Sequence, residues 1–217
     1  MAHEKNISKA VIKRLPRYYR FLGELLNQGV TRISSRLLSE KMGITASQIR
    51  QDLNCFGGFG QQGYGYNVNV LYEEIASILG LDRQVDAILI GAGNLGRAVA
   101  NHMEFEQRGF RLIGIFDENP ALIGQTIKGV LVRSTDKIEP FCRVYHPTAA
   151  ILCIPKTVTK EISDRLIDAG VKGFWNFSHY DLALNQKERG IVVENVHMSD
   201  SLMTLSYELK TLLSEEN

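Results

Sequence analysis

Residues 89–98 spell LIGAGNLGRA, in which glycines 91, 93 and 96 have G-x-G-x-x-G spacing. That spacing suits one kind of chemistry, the wrapping of main-chain amides around a diphosphate. Gly91 permits the turn, Gly93 lets the backbone approach a ligand, and Gly96 lets the following helix pack closely on its strand. Ala92, Asn94 and Leu95 complete the turn, where free N–H groups at the head of the helix face the phosphates. About twenty residues further on stands Asp117. An acid there would hold a ribose 2′-hydroxyl and repel a 2′-phosphate, so NAD(H) is expected over NADP(H).

Such a turn works only between a strand and a helix. The apolar run 85–90 predicts a buried strand, residues 97–105 continue at helical period, and a second strand over 112–116 ends at Asp117. Further strands are expected over 149–154, 173–177 and 191–196, with a helix over 158–169. The alternation predicts an α/β fold, a wound parallel sheet of Rossmann type. Ligands of such sheets lie outside the carboxyl ends of the strands, which places Pro155, Asn176, Phe177 and Ser178 near a cofactor. A last helix over 199–213 is amphipathic through Leu202, Leu205, Leu209 and Leu212. It would pack either on its own sheet or on a partner subunit, and periodicity fits both.

A hydride-transfer enzyme also needs an acid–base group beside the nicotinamide. No tyrosine is followed by lysine four positions later, and His102, His146, His179 and His197 fit surface or packing roles better than catalysis. None has metal-ligand spacing, so neither a catalytic residue nor a metal site is expected. An NAD-dependent dehydrogenase with a basic N-terminal domain remains the alternative. Cys55, Cys142 and Cys153 are odd in number and lack C-x-x-C spacing, which fits reduced thiols in the cytoplasm. A thiol-based regulator acting through Cys55 is a further rival.

The other chemistry is electrostatic. Residues 1–55 hold ten Lys/Arg against four Asp/Glu, whereas the remainder holds fifteen against twenty. One end of the chain is thus suited to a polyanion. Val11, Ile12, Leu15, Tyr19, Leu22, Leu25 and Leu26 predict a helix ending at Gly29, with a kink or restart at Pro16. Ser34 or Ser35 caps a short helix closed by Gly43, and Thr45 opens another with Gln48 completing a capping box. Two short helices about a glycine turn form a helix-turn-helix pattern. Ile44, Ile49 and Leu53 face a core, so Ser47, Gln48, Arg50 and Gln51 are the candidate DNA-contacting side chains, with Asn54 on the same exposed face. An ordinary helical hairpin with a solvated face would share these features. The glycine- and aromatic-rich stretch GGFGQQGYGYNV over 57–68 then predicts a β-hairpin, the wing of a winged helix, with Gln61, Gln62 and Tyr64 near its tip. A helix from Asn69 as cap through Leu79 closes the domain. The expected division is 1–80 for DNA, 81–198 for NAD(H) and 199–217 for the last helix. No apolar run approaches the ~18 residues that span a bilayer, and MAHEKNISKAV shows no secretory signal.

RLPRYYRFL, SSRLLSEKMGIT, QIRQDLNCFGGFGQQGYGY, IGAGNLGRA, FDENP, KGFWNFS and ENVHMSDSLMTL run in this order over nearly the whole chain. In these segments the sequence resembles the Rex family of bacterial redox-sensing transcriptional repressors. The resemblance implies a cytoplasmic homodimer with an N-terminal winged helix on palindromic operator DNA, a Rossmann domain on NADH or NAD⁺, and a C-terminal dimerisation helix, 199–217, exchanged between subunits. It also implies that NADH releases the operator whereas NAD⁺ competes without releasing it. Gly91, Gly93, Gly96 and Asp117 match the family's cofactor positions, and Arg50 matches a DNA-reading arginine. Arg20 matches an arginine that in relatives pairs with an acid after the last strand, a position that here is His197. His102 stands where some relatives have a tyrosine near the nicotinamide. Gln51 and Gln62 replace frequent Lys or Arg, which implies fewer neutralised phosphates and a shallower salt dependence.

Overall fold

A computed structural model describes residues 7–56, 60–61, 65–185 and 187–215. The chain forms two compact units, one ending at Arg83 and the other beginning at Gln84.

In the first unit, helix α1 (Lys9–Asn27) is capped by Ser8, whose Oγ accepts from the Val11 amide at 3.3 Å. Val11, Leu15, Tyr18, Leu22 and Leu25 recur at helical spacing and are buried as one stripe. Of the kink or restart expected at Pro16, the restart does not occur, since α1 runs through it. Proline forfeits one amide bond there, and the buried stripe on both sides of it holds the helix together. Helix α2 (Ser35–Met42) takes Ser34 as its cap and ends at Gly43, which adopts the left-handed conformation at φ 63°. Helix α3 (Ala46–Asn54) is capped by Thr45, whose Oγ1 accepts from the Gln48 amide at 3.1 Å. The reciprocal half of the capping box is missing, because the Gln48 side chain turns to Asp52 instead.

Strands β1 (Arg32–Ile33), β2 (Gly60–Gln61) and β3 (Gly65–Asn67) form a small antiparallel sheet in the order β1-β3-β2. The hairpin of β2 and β3 lies where the sequence placed a wing. Strand β1 was not foreseen, being too short to show periodicity. Gly65 has φ 69°, and a Cβ there would sit 2.6 Å from the Ile33 carbonyl oxygen, so the sheet requires glycine. Helix α4 (Val68–Ile78) is capped by Asn67 and not by Asn69. Asn67 Oδ1 accepts from the Val70 amide, while Asn69 lies inside the helix and donates to Glu73.

The second unit carries β4 (Val85–Ile90), α5 (Asn94–His102), β5 (Phe110–Asp117), β6 (Thr126–Ile127), β7 (Val130–Ser134) and α6 (Ile138–Tyr145). After these come β8 (Ala149–Leu152), α7 (Lys156–Asp168), β9 (Gly173–Asn176), α8 (Leu182–Asn185), β10 (Val192–Asn195) and α9 (Met198–Glu215). The sheet order is β10-β9-β8-β4-β5-β7-β6, parallel except for the short edge strand β6. The chain therefore leaves β4 on one side through β5 and returns on the other through β8. That reversal opens a crevice at the carboxyl end of β4, the usual ligand position of a Rossmann sheet. Helix α5 stops at His102, short of the expected Phe105, and a 3-10 turn over Glu106–Arg108 follows. The β6–β7 hairpin and α6 were not anticipated.

Candidate nucleotide pocket and nucleic-acid face

Strand β4 delivers the glycine turn to the crevice. Gly91 has φ 95°, and a Cβ on it would strike the Cys153 carbonyl oxygen and come within 2.9 Å of Ile154 Cγ2. A Cβ on Gly96 would collide with the Gly91 carbonyl oxygen, so the start of α5 closes on the turn only with glycine there. At Gly93 a Cβ would meet no protein atom within 4 Å. The turn's shape therefore requires the first and third glycines, while the second leaves an exposed backbone that a ligand can approach. Gly93 is the N-cap of α5 and supplies no side-chain bond, which leaves the amides of Asn94 and Leu95 at the head of that helix open to an anion.

Asp117 ends β5 and fixes the turn from the other side. Its Oδ2 accepts from the Ala92 amide at 2.6 Å, and its Oδ1 accepts from Asn119 at 2.8 Å. Gly91, Gly93, Asp117 and Pro155 line one cavity of about 390 Å³ with Thr135 and Asp136. Its rim also includes Glu118, Glu161 and Arg165. Arg165 is committed to a bidentate pair with Glu139, at 2.6 and 3.0 Å, and donates to the Thr135 carbonyl oxygen at 2.8 Å. The Arg165 guanidinium holds the Glu139 carboxyl below its usual range. With that cation neutralised, Asp117, Glu118, Asp136 and Glu161 leave the pocket acidic, which suits ribose hydroxyls and opposes an additional phosphate. The donor set and the open glycine backbone fit an adenosine diphosphate moiety. The sequence reading missed Glu118, Thr135, Asp136, Cys153, Glu161 and Arg165. They meet only where the ends of β5, β7 and β8 converge with one face of α7, and no local spacing marks them. Burial pushes the Cys153 thiol up to about 12.

The remaining cofactor candidates lie elsewhere. His102 is exposed at the last turn of α5. Asn176 is fully buried and donates to the Tyr180 carbonyl oxygen and to Asn195 Oδ1. Its own Oδ1 accepts from the Ser178 amide and hydroxyl. All of its bonding capacity is used, one bond reaching β10 and three holding the loop over 178–180 that follows β9. Phe177 packs its ring edge against Trp175 at 4.6 Å between centroids. His197 stacks on His179 with centroids 5.7 Å apart.

In the first unit, α3 presents Ser47, Arg50, Gln51 and Asn54 to solvent. Arg50 Nη1 donates to Ser35 Oγ at 3.0 Å, which steadies it from α2. Gln61 belongs to β2, while Gln62 and Tyr64 lie outside the described residues. Arg20 is exposed on α1 with its guanidinium carbon 6.0 Å from the Phe21 ring centroid. Gln48 is half-buried and donates to Asp52 Oδ1 at 2.8 Å. Asp52, not singled out from sequence, is completely buried. It accepts from Arg14 Nε and Nη2, both at 2.7 Å, and from the Tyr18 hydroxyl at 3.0 Å. Burial pushes its carboxyl upward, but the hydrogen bonds from Arg14, Gln48 and Tyr18 outweigh that and hold it below the ordinary value.

Residues 6–54 match the family model described as "Putative DNA-binding protein N-terminus", and residues 82–180 match a CoA binding domain. A redox-sensing transcriptional repressor Rex of Caldanaerobacter subterraneus subsp. tengcongensis is 56% identical over 96% of this chain and 92% of its own length. The chain belongs to the Rex family. The Rex repressor of Clostridium botulinum strain Eklund 17B is 52% identical over 96% of this chain and 98% of its own. The crystal structure of RSP in complex with β-NAD⁺ and operator DNA superimposes with a TM-score of 0.88 at 54% identity. It covers 98% of this chain and 97% of that one. RSP in complex with β-NADH gives a TM-score of 0.87 at 50% identity, over 99% of this chain and all of that one. The Rex fold, a winged helix-turn-helix followed by a Rossmann-type sheet, is thus the fold of this chain.

Proposed function

We propose that this protein represses transcription by binding operator DNA through α3 and the β2–β3 hairpin, and that NADH in the second unit releases it. The observation that carries the reading is the match of both units, at 50% identity or more, to a Rex repressor crystallised with operator DNA and NAD⁺ and also with NADH. Ser47, Arg50 and Gln51 are assigned to the DNA, with Gln48, Gln61, Gln62 and Tyr64 at its margin. Gly91, Ala92, Gly93, Asn94, Leu95, Gly96 and Asp117 are assigned to the diphosphate and ribose, and Pro155 to the adenosine pocket. His102, Asn176, Phe177 and Ser178 are assigned to the nicotinamide half, with Asn176 acting through the loop that it ties. Arg20 and His197 are assigned to the switch. The division at 1–80, 81–198 and 199–217 follows these roles.

The working form is a homodimer in the cytoplasm. Leu202, Leu205, Leu209 and Leu212 of α9 are all at least 47% exposed, an apolar stripe of the kind that a partner buries. The sheet of the same unit carries a complementary apolar groove of about 340 Å³, lined by Ala87, Phe105, Ile151, Phe174 and Trp175. Exchange of α9 between two copies fills that groove and places two recognition helices on a palindromic site. NADH then acts by differential affinity: an uncharged dihydronicotinamide suits a less polar cleft than the cationic ring does, and favours the dimer that does not fit DNA.

The test is binding of the purified protein to labelled DNA from its own upstream region, titrated separately with NADH and NAD⁺. Release by NADH alone is expected. Binding indifferent to both nucleotides, or turnover of NADH with small carbonyl substrates, would overturn the reading.

A further inference from the structure

We propose that Asp52 is a positioning residue for operator recognition: its bonds to Arg14 and Tyr18 of α1 fix the roll of α3 about its own axis, while Gln48 of α3 itself orients the carboxylate. The proposal rests on the reading of α3 as the recognition helix. Helix α3 spans nine residues, about two and a half turns. Its apolar anchors are Ile49 and Leu53, which are four residues apart and so form a single line along the helix. A short helix held along one line can rock about it, and each degree of rocking swings Arg50 and Gln51 across the groove they read.

The second line of attachment is polar. At about 100° per residue, Gln48 and Asp52 lie roughly 100° round the helix from the Ile49–Leu53 line. The exposed side chains Ser47, Arg50, Gln51 and Asn54 are centred about 130° from both lines. The reading face thus stands opposite two rails, one of methyl groups and one of charge-assisted hydrogen bonds. The polar rail is directional, which the apolar one is not. Arg14 meets both carboxylate oxygens of Asp52 in a fork, so the plane of the carboxylate is set by α1. Tyr18, with no exposure of its own, adds a third contact from the same helix. Tyr18 is fully buried while Arg14 and Gln48 are half-buried, and both oxygens of Asp52 are used. Buried ion pairs add little net stability compared with well-packed apolar residues, so stability alone does not explain a carboxylate at this position.

Two variants separate positioning from support: Arg14→Met with Asp52→Leu, which replaces the pair by apolar side chains, and Asp52→Asn, which keeps the shape and the Arg14 charge. Each is measured for melting temperature, for binding to operator DNA and to unrelated DNA of equal length, and for the salt slope of both. For the double variant, in which the buried Tyr18 hydroxyl loses its acceptor, we expect a folded protein with a melting temperature at or modestly below wild type and unchanged binding to unrelated DNA. Its operator preference should fall about tenfold, the size of one mismatched contact. Asp52→Asn should lose less of the preference with the same salt slope. A folded double variant that keeps the wild-type preference, or that loses affinity for both DNAs by one factor, overturns the proposal. If the double variant does not fold, Asp52→Asn decides by the same readings. A wild-type protein without operator preference would instead overturn the DNA-recognition reading itself.

Discussion

The glycine turn of the second unit and the recognition helix of the first are both short segments that must hold a fixed geometry toward a ligand, yet they achieve it by opposite means. The turn is shaped by what is absent. Gly91 and Gly96 leave no room for a methyl group, and the turn presents uncapped main-chain amides at the head of α5. The helix is shaped by side chains drawn from far away, since Arg14 and Tyr18 reach Asp52 across 38 and 34 residues of sequence. Geometry enforced by exclusion is all-or-none, whereas geometry enforced by hydrogen bonds degrades in steps.

The largest effect should therefore come from one methyl group. Gly96→Ala forces the start of α5 off the turn, at a cost of about 3 kcal/mol or more. Calorimetric titration should show no NADH binding, while the variant still binds DNA and no longer responds to NADH. Retained NADH affinity would break the contrast. Arg14→Ala removes one partner of a buried carboxylate and should lower stability by about 2 kcal/mol in urea unfolding, since Arg14 is itself a third exposed. The same pair has a pH signature. Because the folded Asp52 carboxyl titrates below its unfolded value of about 3.9, its contribution is present above that pH and is lost as pH falls through the folded value. Acid unfolding of wild type should thus be steeper below about pH 4 than that of Asp52→Asn.

Asp117→Ala removes the acceptor for the Ala92 amide and for a ribose hydroxyl, and should weaken NADH binding about tenfold while narrowing its advantage over NADPH. Arg165→Met frees the Thr135 loop and should weaken NADH and NAD⁺ by the same factor of about three, because the adenosine half is common to both. Unequal losses would place Arg165 in the switch. The smallest change is at the helix. Gln51→Lys should steepen the salt dependence of DNA binding by about one unit of slope, leaving its response to NADH unchanged.

The same contrast explains what could be read from sequence. A Rossmann turn is legible because its constraint is local: strand, glycine spacing, helix and terminal acid lie within residues 85–117. Capping by Ser34 and Thr45 was legible for the same reason. Asp52 was not, because a carboxylate in an amphipathic helix reads as solvated unless its partners are known, and two of these, Arg14 and Tyr18, lie on another helix. Pro16 misled in the opposite direction so far as a restart was expected. The rule that proline breaks a helix is local, and here the packing of Leu15, Tyr18 and Leu22 prevails. Strands of two residues, such as β1 and β6, are below what periodicity resolves. The acidic rim of the nucleotide pocket is assembled from the ends of β5 and β7 and from α7, and has no sequence signature.

The most direct test of the account uses its reciprocity. If NADH lowers operator affinity by some factor, the operator must lower NADH affinity by the same factor. Titrating NADH and NAD⁺ into the free protein and into its operator complex measures this without following release. The account predicts weaker NADH binding to the complex by the factor seen in the DNA titration, with NAD⁺ affinity little changed. Equal NADH affinity for the free and operator-bound protein would contradict it.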